Sequence, residues 1–438
     1  MGERPGSQEG VRIAGGRDRN LALEGMRGAA CLSVFLCHFL FSFFPYLTSN
    51  FSPNSQLPRA FAWEIIVSLP VATVFFNGNF GVAMFFAMSG YVLTNRYFQS
   101  NDLQVLAYGA AKRYLRLGLP AAASILLAWL LLAAGWMFTE KAAVIGAAGW
   151  PMAFYKEPVS FGKMLADAAY GAAVFGRTEL NSPLWTIQLE FIGSLLLFAT
   201  YAFFGVRYCL VNFIFFVGAV LVIFPNSLAQ IHCLTIFTGS LLNYCCFKRY
   251  WGLPVGAALV VAGFVLGAYD YSFWFDWMRA APVPMLGGPV VDLAQYDRYA
   301  FNAIGAVLVV AGLLSSGRMS RLFASDAFVL LGRLSFSIYL LHWPIICSIA
   351  FGMMYLLKVE LGWEYQIAAL VSFGASLVVT LAISWLFEKY VDRPSQKLAG
   401  HFAKEVLAPE RFSDARPQEK CVVAALSKDE VDRKQNPA

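Results

Sequence analysis

His38 is the residue whose type and setting most directly invite chemistry, because it lies in an apolar run at roughly residues 24–45 that also holds Glu24 and Arg27. An ionisable side chain inside a membrane helix is costly, so its default reading is functional. Arg27 and His38 are eleven positions apart. At about 100° per residue that returns to nearly the same helix face, with a rise of roughly 16 Å. One stripe would then carry a cation at its mouth and a potential base at depth; the bland alternative is a snorkelling arginine and a packing histidine. Glu24, three residues before Arg27, can pair with it. Glu190 stands about five residues inside another apolar run that opens with SPLWTIQLE at Ser182. It and His38 share a depth, each on the order of 10 Å from the outer boundary. A carboxylate facing an imidazole fixes its tautomer and raises its basicity. The sequence therefore predicts a His38–Glu190 contact, with another polar partner for Glu190 as the alternative.

Other residues form smaller constellations. Arg113 and Arg116 are neighbours at a helix start, and two guanidinium groups suit phosphate recognition, although loop charge explains them equally well. Ser89 and Gly90 interrupt the bulky run GVAMFFAMSGYVLTNR and allow close approach of a helix or a ligand. Trp185 beside Pro183 reads as interfacial anchoring. Tyr339, His342 and Trp343 cluster before Pro344, where structural hydrogen bonding competes with catalysis. His232 is read as structural and His401 as solvated. No cysteine or histidine spacing of the zinc type appears, so no metal site is expected.

These residues must be positioned by membrane helices. Of 438 residues 58% are hydrophobic and 14% charged, against about 25% charged in soluble domains. The mean hydropathy is +0.59. Continuous apolar runs at roughly 24–45, 78–98, 115–136, 184–204, 208–224, 229–247, 251–269, 299–316, 334–357 and 365–387 imply an all-α integral membrane protein. About ten transmembrane helices would form one bundle; a β-barrel would alternate instead. Residues 61–76, interrupted by Glu64 and Pro70, read as an interfacial or re-entrant piece. The net charge of +6 falls mainly in short clusters between runs, including Arg12, Arg17, Arg19, Lys112, Lys248, Arg249, Arg318 and Arg321. That pattern places both termini in the cytoplasm and argues against a nucleic-acid partner. The expected organisation is a cytoplasmic arm (1–20), a membrane domain (21–394) and a polar, loosely held cytoplasmic tail (395–438). No strong internal repeat is visible, which weakens an inverted-repeat transporter reading.

Taken in order, LEGMRG with the Arg27–His38 spacing, FFAMSGY (Phe85, Phe86, Ser89, Gly90), Arg113-x-x-Arg116, LWTIQLE (Trp185, Glu190), LGRLSFSIYLLHWP and FEKYVDRP resemble the acyltransferase-3 family of membrane acyltransferases. The resemblance runs from about residue 21 to 394. It implies a ten-helix plasma-membrane enzyme moving an acyl group, most often acetyl, from cytoplasmic acyl-CoA to a hydroxyl of a carbohydrate or glycoside at the outer face. Acyl-CoA would be a co-substrate, with no bound cofactor, and membrane lipid the surrounding partner. It also implies that His38 is catalytic with Arg27 as its motif partner, and that Arg113 and Arg116 contact the donor phosphates. Ser89 and Gly90 would lie on the donor side, with Glu24, Trp185, Tyr339 and His342 supporting. Two positions depart from the family pattern: Glu24 replaces a more usual Asp, and Ala83 stands where an acidic residue often precedes the FFxxSG segment.

Residues and resemblance together predict that His38 acts as general base on an acceptor hydroxyl, with Glu190 orienting it. A covalent acyl-histidine is the alternative within the same class. Outside it, a transporter or lipid carrier would use the same charged residues to line a path.

Overall fold

The structure, a computed structural model, describes residues 7–51, 57–245, 252–280 and 297–407, with the side chains of 7–20, Arg279 and Ala280 not among them. Over the described residues each of the ten apolar runs is mainly helical, and no strand occurs among those residues. The main helices are α1 (Ser7–Phe43), α2 (Gly78–Ser100), α3 (Leu103–Ala133), α4 (Trp185–Phe204), α5 (Cys209–Ile223), α6 (Ser227–Leu241), α7 (Leu253–Gly267), α8 (Asp297–Ser315), α9 (Asp326–Ile345), α10 (Tyr365–Phe387) and α11 (Arg393–Val406). Among the described residues, six helical stretches are long and apolar enough to cross a membrane; α5 and α7 are apolar but 15 residues long.

Local sequence sets the helix ends. Asn77 and Asp102 cap α2 and α3 through side-chain oxygens that accept from Phe80 N and Gln104 N. Between these helices Asn101 takes a left-handed conformation, at φ 53°, that asparagine tolerates.

In an apolar solvent helices associate by close packing rather than by hiding from water, and small residues decide where backbones meet. Gly28 of α1 and Gly332 of α9 lie back to back: a Cβ on Gly332 would fall 1.9 Å from Glu24 O, and one on Gly28 2.6 Å from Gly332 N. Gly90 of α2 and Gly239 of α6 meet in the same way, with Cβ positions 1.8 Å from Ile236 O and 2.1 Å from Ala87 O. Large exposed side chains on α5 and α10, such as Val222, Leu370 and Val378, form an apolar outer surface.

Outside the long helices, residues 61–76 and the start of the tail take defined conformations. Residues 61–76 form two short helices, Glu64–Val67 and Pro70–Thr73, and no span-length helix; the buried Glu64 accepts from the Ala60 and Phe61 N–H groups. The tail expected to be loosely held begins instead as the ordered helix α11, whose Ala399 and Ala403 are buried where it packs on α3. Charge on its outer face conceals that small-residue stripe. The rest of the tail, residues 1–6, and the loop cations Lys248 and Arg249 lie outside the described residues, as do the side chains of Arg12, Arg17 and Arg19.

Candidate active site

Helices α1 and α9 run parallel as direct neighbours with one fixed offset. Cys31 Sγ bonds Ser335 O at 3.1 Å and His38 Nδ1 meets His342 Nε2 at 3.1 Å, each pair 304 residues apart; the Gly28–Gly332 contact shares that register. The glycine contact brings the two axes close, and ten residues further along it brings two imidazoles together.

The acceptors around this pair determine its tautomers. His342 Nδ1 lies 2.7 Å from Tyr339 O and 3.2 Å from Ile338 O, so that nitrogen is the N–H donor and Nε2 carries the lone pair. His342 Nε2 therefore accepts, and His38 Nδ1 donates; Val34 O, at 3.0 Å, is a second acceptor for the same proton. The lone pair of His38 is left on Nε2, which makes no hydrogen bond among the described residues. His342 is 1% exposed, whereas His38 is half-buried. The inner ring is held and the outer one is reachable.

The predicted His38–Glu190 contact is not formed. Glu190 pairs instead with the Arg113 guanidinium and accepts from Ser89 Oγ at 2.5 Å, while Arg113 Nε donates to Ser194 Oγ at 2.7 Å. A shared depth would not be sufficient for a contact, because α4 has α3, α5 and α6 among its main neighbours rather than α1. A carboxylate withdrawn from water takes the nearest cation first. Arg116 is likewise committed: Asp392 accepts from it at 2.6 Å, and its guanidinium covers the Phe336 ring at 4.9 Å. The expected Glu24–Arg27 pair is present but loose, at 4.0 Å and with both side chains more than a third exposed. Gly90 belongs to the α2–α6 packing contact and is not among the residues that line the cavity described next. Trp185 packs on His232, with ring centroids 5.5 Å apart. His232 is buried and its two ring nitrogens have no partner among the described residues.

A cavity of about 240 Å³ opens beside the pair. Its polar wall is Arg27, Arg113, Arg116, Ser89, Glu190, Thr186 and Tyr339, and its apolar wall includes Phe85, Leu117 and Phe336. Tyr339 is the partition. Its hydroxyl, held by Thr186 Oγ1 at 2.8 Å and Pro183 O at 3.0 Å, belongs to the cavity wall, while its carbonyl anchors His342. Tyr339, His342 and Trp343 share one face of α9 by their i, i+3, i+4 spacing. That face leads from the cavity to the histidine pair and then to two indoles. Trp343 stacks on Trp150 at 4.8 Å and 17°, and their centroids lie 5.4 and 6.3 Å from that of His38.

The surrounding chain fixes this arrangement. Pro344 lacks the N–H that Leu340 O would receive in a continuous helix; Asn181 Nδ2 donates to that carbonyl at 2.8 Å instead. A π-helical turn, Ile346–Ala350, follows at once, as such turns do near functional sites. Trp150 is carried in by the segment 137–183, which is tied to the end of α1 by Ala148 N–Ser42 O (2.7 Å) and Trp150 Nε1–Phe41 O (3.1 Å). Trp150, Ser194 and Asp392 stand apart from the chemical constellations of the sequence. Nothing in their local patterns names the partners they meet.

The bundle and its site define a multi-pass membrane protein with a buried imidazole pair next to a cation-lined cavity. Residues 20–389 match the model of the acyltransferase domain known as acyltransferase-3, and the chain belongs to that family: it is a membrane acyltransferase. It is similar to acyltransferase R4 of Phoma sp., with 23% identity over 455 residues, covering 86% of this chain and 94% of that one. No solved structure matches it.

Proposed function

We propose that the protein transfers an acyl group, in the first instance acetyl, from cytoplasmic acyl-CoA to a hydroxyl of a carbohydrate or glycoside reaching His38 from the opposite face. In this reading all ten apolar runs cross the plasma membrane, with both termini cytoplasmic. The observation that carries it is the hydrogen-bond order Tyr339 O, His342, His38, which leaves a lone pair on His38 Nε2.

The donor phosphates enter at Arg27, Arg113 and Arg116, three cations facing one carboxylate in the cavity wall. Arg27 holds its carboxylate least tightly and is the first contact; Arg113 and Arg116 would share theirs with phosphate. The thioester then passes Tyr339 to reach His38. His38 Nε2 takes the proton of the acceptor hydroxyl as its oxygen bonds to the acyl carbon. The developing imidazolium keeps its Nδ1–H on His342 Nε2, so charge arises where an acceptor already waits. Collapse of the tetrahedral species breaks the C–S bond, and the proton returns from His38 to the thiolate. Glu190 maintains the cavity wall rather than the base. The indole faces of Trp150 and Trp343 suit the C–H face of a sugar ring.

Mass spectrometry of the glycans and glycosides of cells with and without the protein tests this function. The expected result is an acyl-sized mass difference that vanishes in the deletion and returns with the intact gene. Identical profiles, with no thioester consumed by the purified protein in any extract, would remove the reading.

A further inference from the structure

Of the aromatic-ring and phenol donors around the histidine pair, all but one are occupied among the described residues. His342 Nδ1 is held by Tyr339 O, His38 Nδ1 by His342 and Val34 O, Trp150 Nε1 by Phe41 O and the Tyr339 hydroxyl by Pro183 O. Trp343 Nε1 is the exception: its side chain is 0% exposed and the indole N–H meets no acceptor among the described residues. A buried donor left unmade opposes folding, so its retention beside a reacting group calls for an explanation. The ring is also immobilised, between Trp150 on one face and Phe154 at 5.4 Å and 77°.

We propose that Trp343 Nε1–H donates to the oxyanion formed at the acyl carbonyl, as a catalytic residue additional to His38. The proposal rests on the acyl-transfer reading above. When the acceptor oxygen bonds to the thioester carbon, the carbonyl π electrons move to its oxygen and the acceptor proton moves to His38 Nε2. The negative oxygen receives the indole hydrogen bond until the carbonyl re-forms and the C–S bond breaks. The dimensions allow it. Two hydrogen bonds and the two oxygens of one tetrahedral carbon span up to about 8 Å between nitrogens, and the two ring centroids are 5.4 Å apart. Stacking fixes the direction of the N–H as charge appears, which is the property that makes such donors effective. Adjacency to His342 in the chain places base support and oxyanion donor on one rigid turn of α9.

The test is Trp343→Phe in the full-length protein, with two readouts that need no knowledge of the acceptor. The probe is a CoA derivative carrying a trifluoromethyl ketone in place of the thioester, hydrated in water and so presenting a tetrahedral carbon. Wild type should bind it more tightly than CoA. The variant should lose on the order of 10²-fold of that preference, with CoA affinity unchanged; because the lost N–H had no partner, any fall in unfolding temperature reports the lost ring volume alone. If the phenylalanine variant does not fold, Trp343 replaced by benzothienylalanine removes the N–H at constant shape and should give the same loss. The proposal is overturned if wild type shows no preference for the ketone, or if either variant retains it. Full acyl transfer by His38→Ala would instead remove the base assignment, so the two failures are separable.

Discussion

Replacing His342 with phenylalanine removes the acceptor for His38 Nδ1–H while leaving a ring of similar volume in a site that is 1% exposed. Two outcomes can be weighed from the geometry. Had His342 been the sole acceptor, its loss would free the imidazole to take the wrong tautomer, a change that costs about 10⁴ in kcat in the serine-protease triad. Val34 O at 3.0 Å still accepts the same proton, however, so the resting tautomer survives. What is lost is a hydrogen bond to a group that becomes charged in the transition state, worth about 1.5–3 kcal/mol. That corresponds to a fall in kcat of roughly 10- to 150-fold. The donor KM should not change, because His342 lies beyond Tyr339 and outside the cavity wall. The assay is release of free CoA from acetyl-CoA in an extract that supports transfer, with thermal unfolding as a control for folding. Undiminished kcat in a folded His342→Phe protein would refute the paired-imidazole argument. So would a defect confined to donor KM.

Breaking the Arg113–Glu190 pair should act mainly on stability: Arg113→Ala leaves a half-buried carboxylate without its cation and should cost about 3–5 kcal/mol. Arg113→Leu combined with Glu190→Leu should recover most of that loss in thermal unfolding while leaving transfer impaired. Gly332→Val places side-chain atoms where Glu24 O now stands, so α1 and α9 must separate; CoA release and unfolding temperature should fall together, and a variant normal in both would show that close approach is not needed. Arg27→Ala, by removing the most weakly committed cavity cation, should raise the acetyl-CoA KM by at least tenfold with kcat nearly intact, as read from a donor titration.

Much of this architecture is legible in the sequence because membrane helices announce themselves by composition: the described part of each apolar run is mainly helical, and six stretches among the described residues are long and apolar enough to span. The Glu24–Arg27 pair is also readable, since it depends only on the periodicity of one helix. The site's pairings were not, because they depend on which helices are neighbours. Glu190 and His38 lie on different helices, yet Glu190 meets Arg113, and His38 meets a histidine 304 residues away. Gly28 and Gly332 are what set that register, and in sequence each is an isolated small residue that only a partner helix explains. Asp392 shows the same limit from the other direction: it lies in a charged stretch that reads as membrane edge, but it closes on Arg116 and anchors α11 to α3.

The central claim is that His38 Nε2 is the base for acyl transfer. The most direct measurement pairs CoA binding with a single turnover of acetyl-CoA in the His38→Ala protein, folded and in a membrane. The account predicts CoA affinity equal to wild type, since His38 lies outside the cavity wall, with no acylated acceptor formed. Acylated acceptor appearing at the wild-type rate in that protein would contradict it.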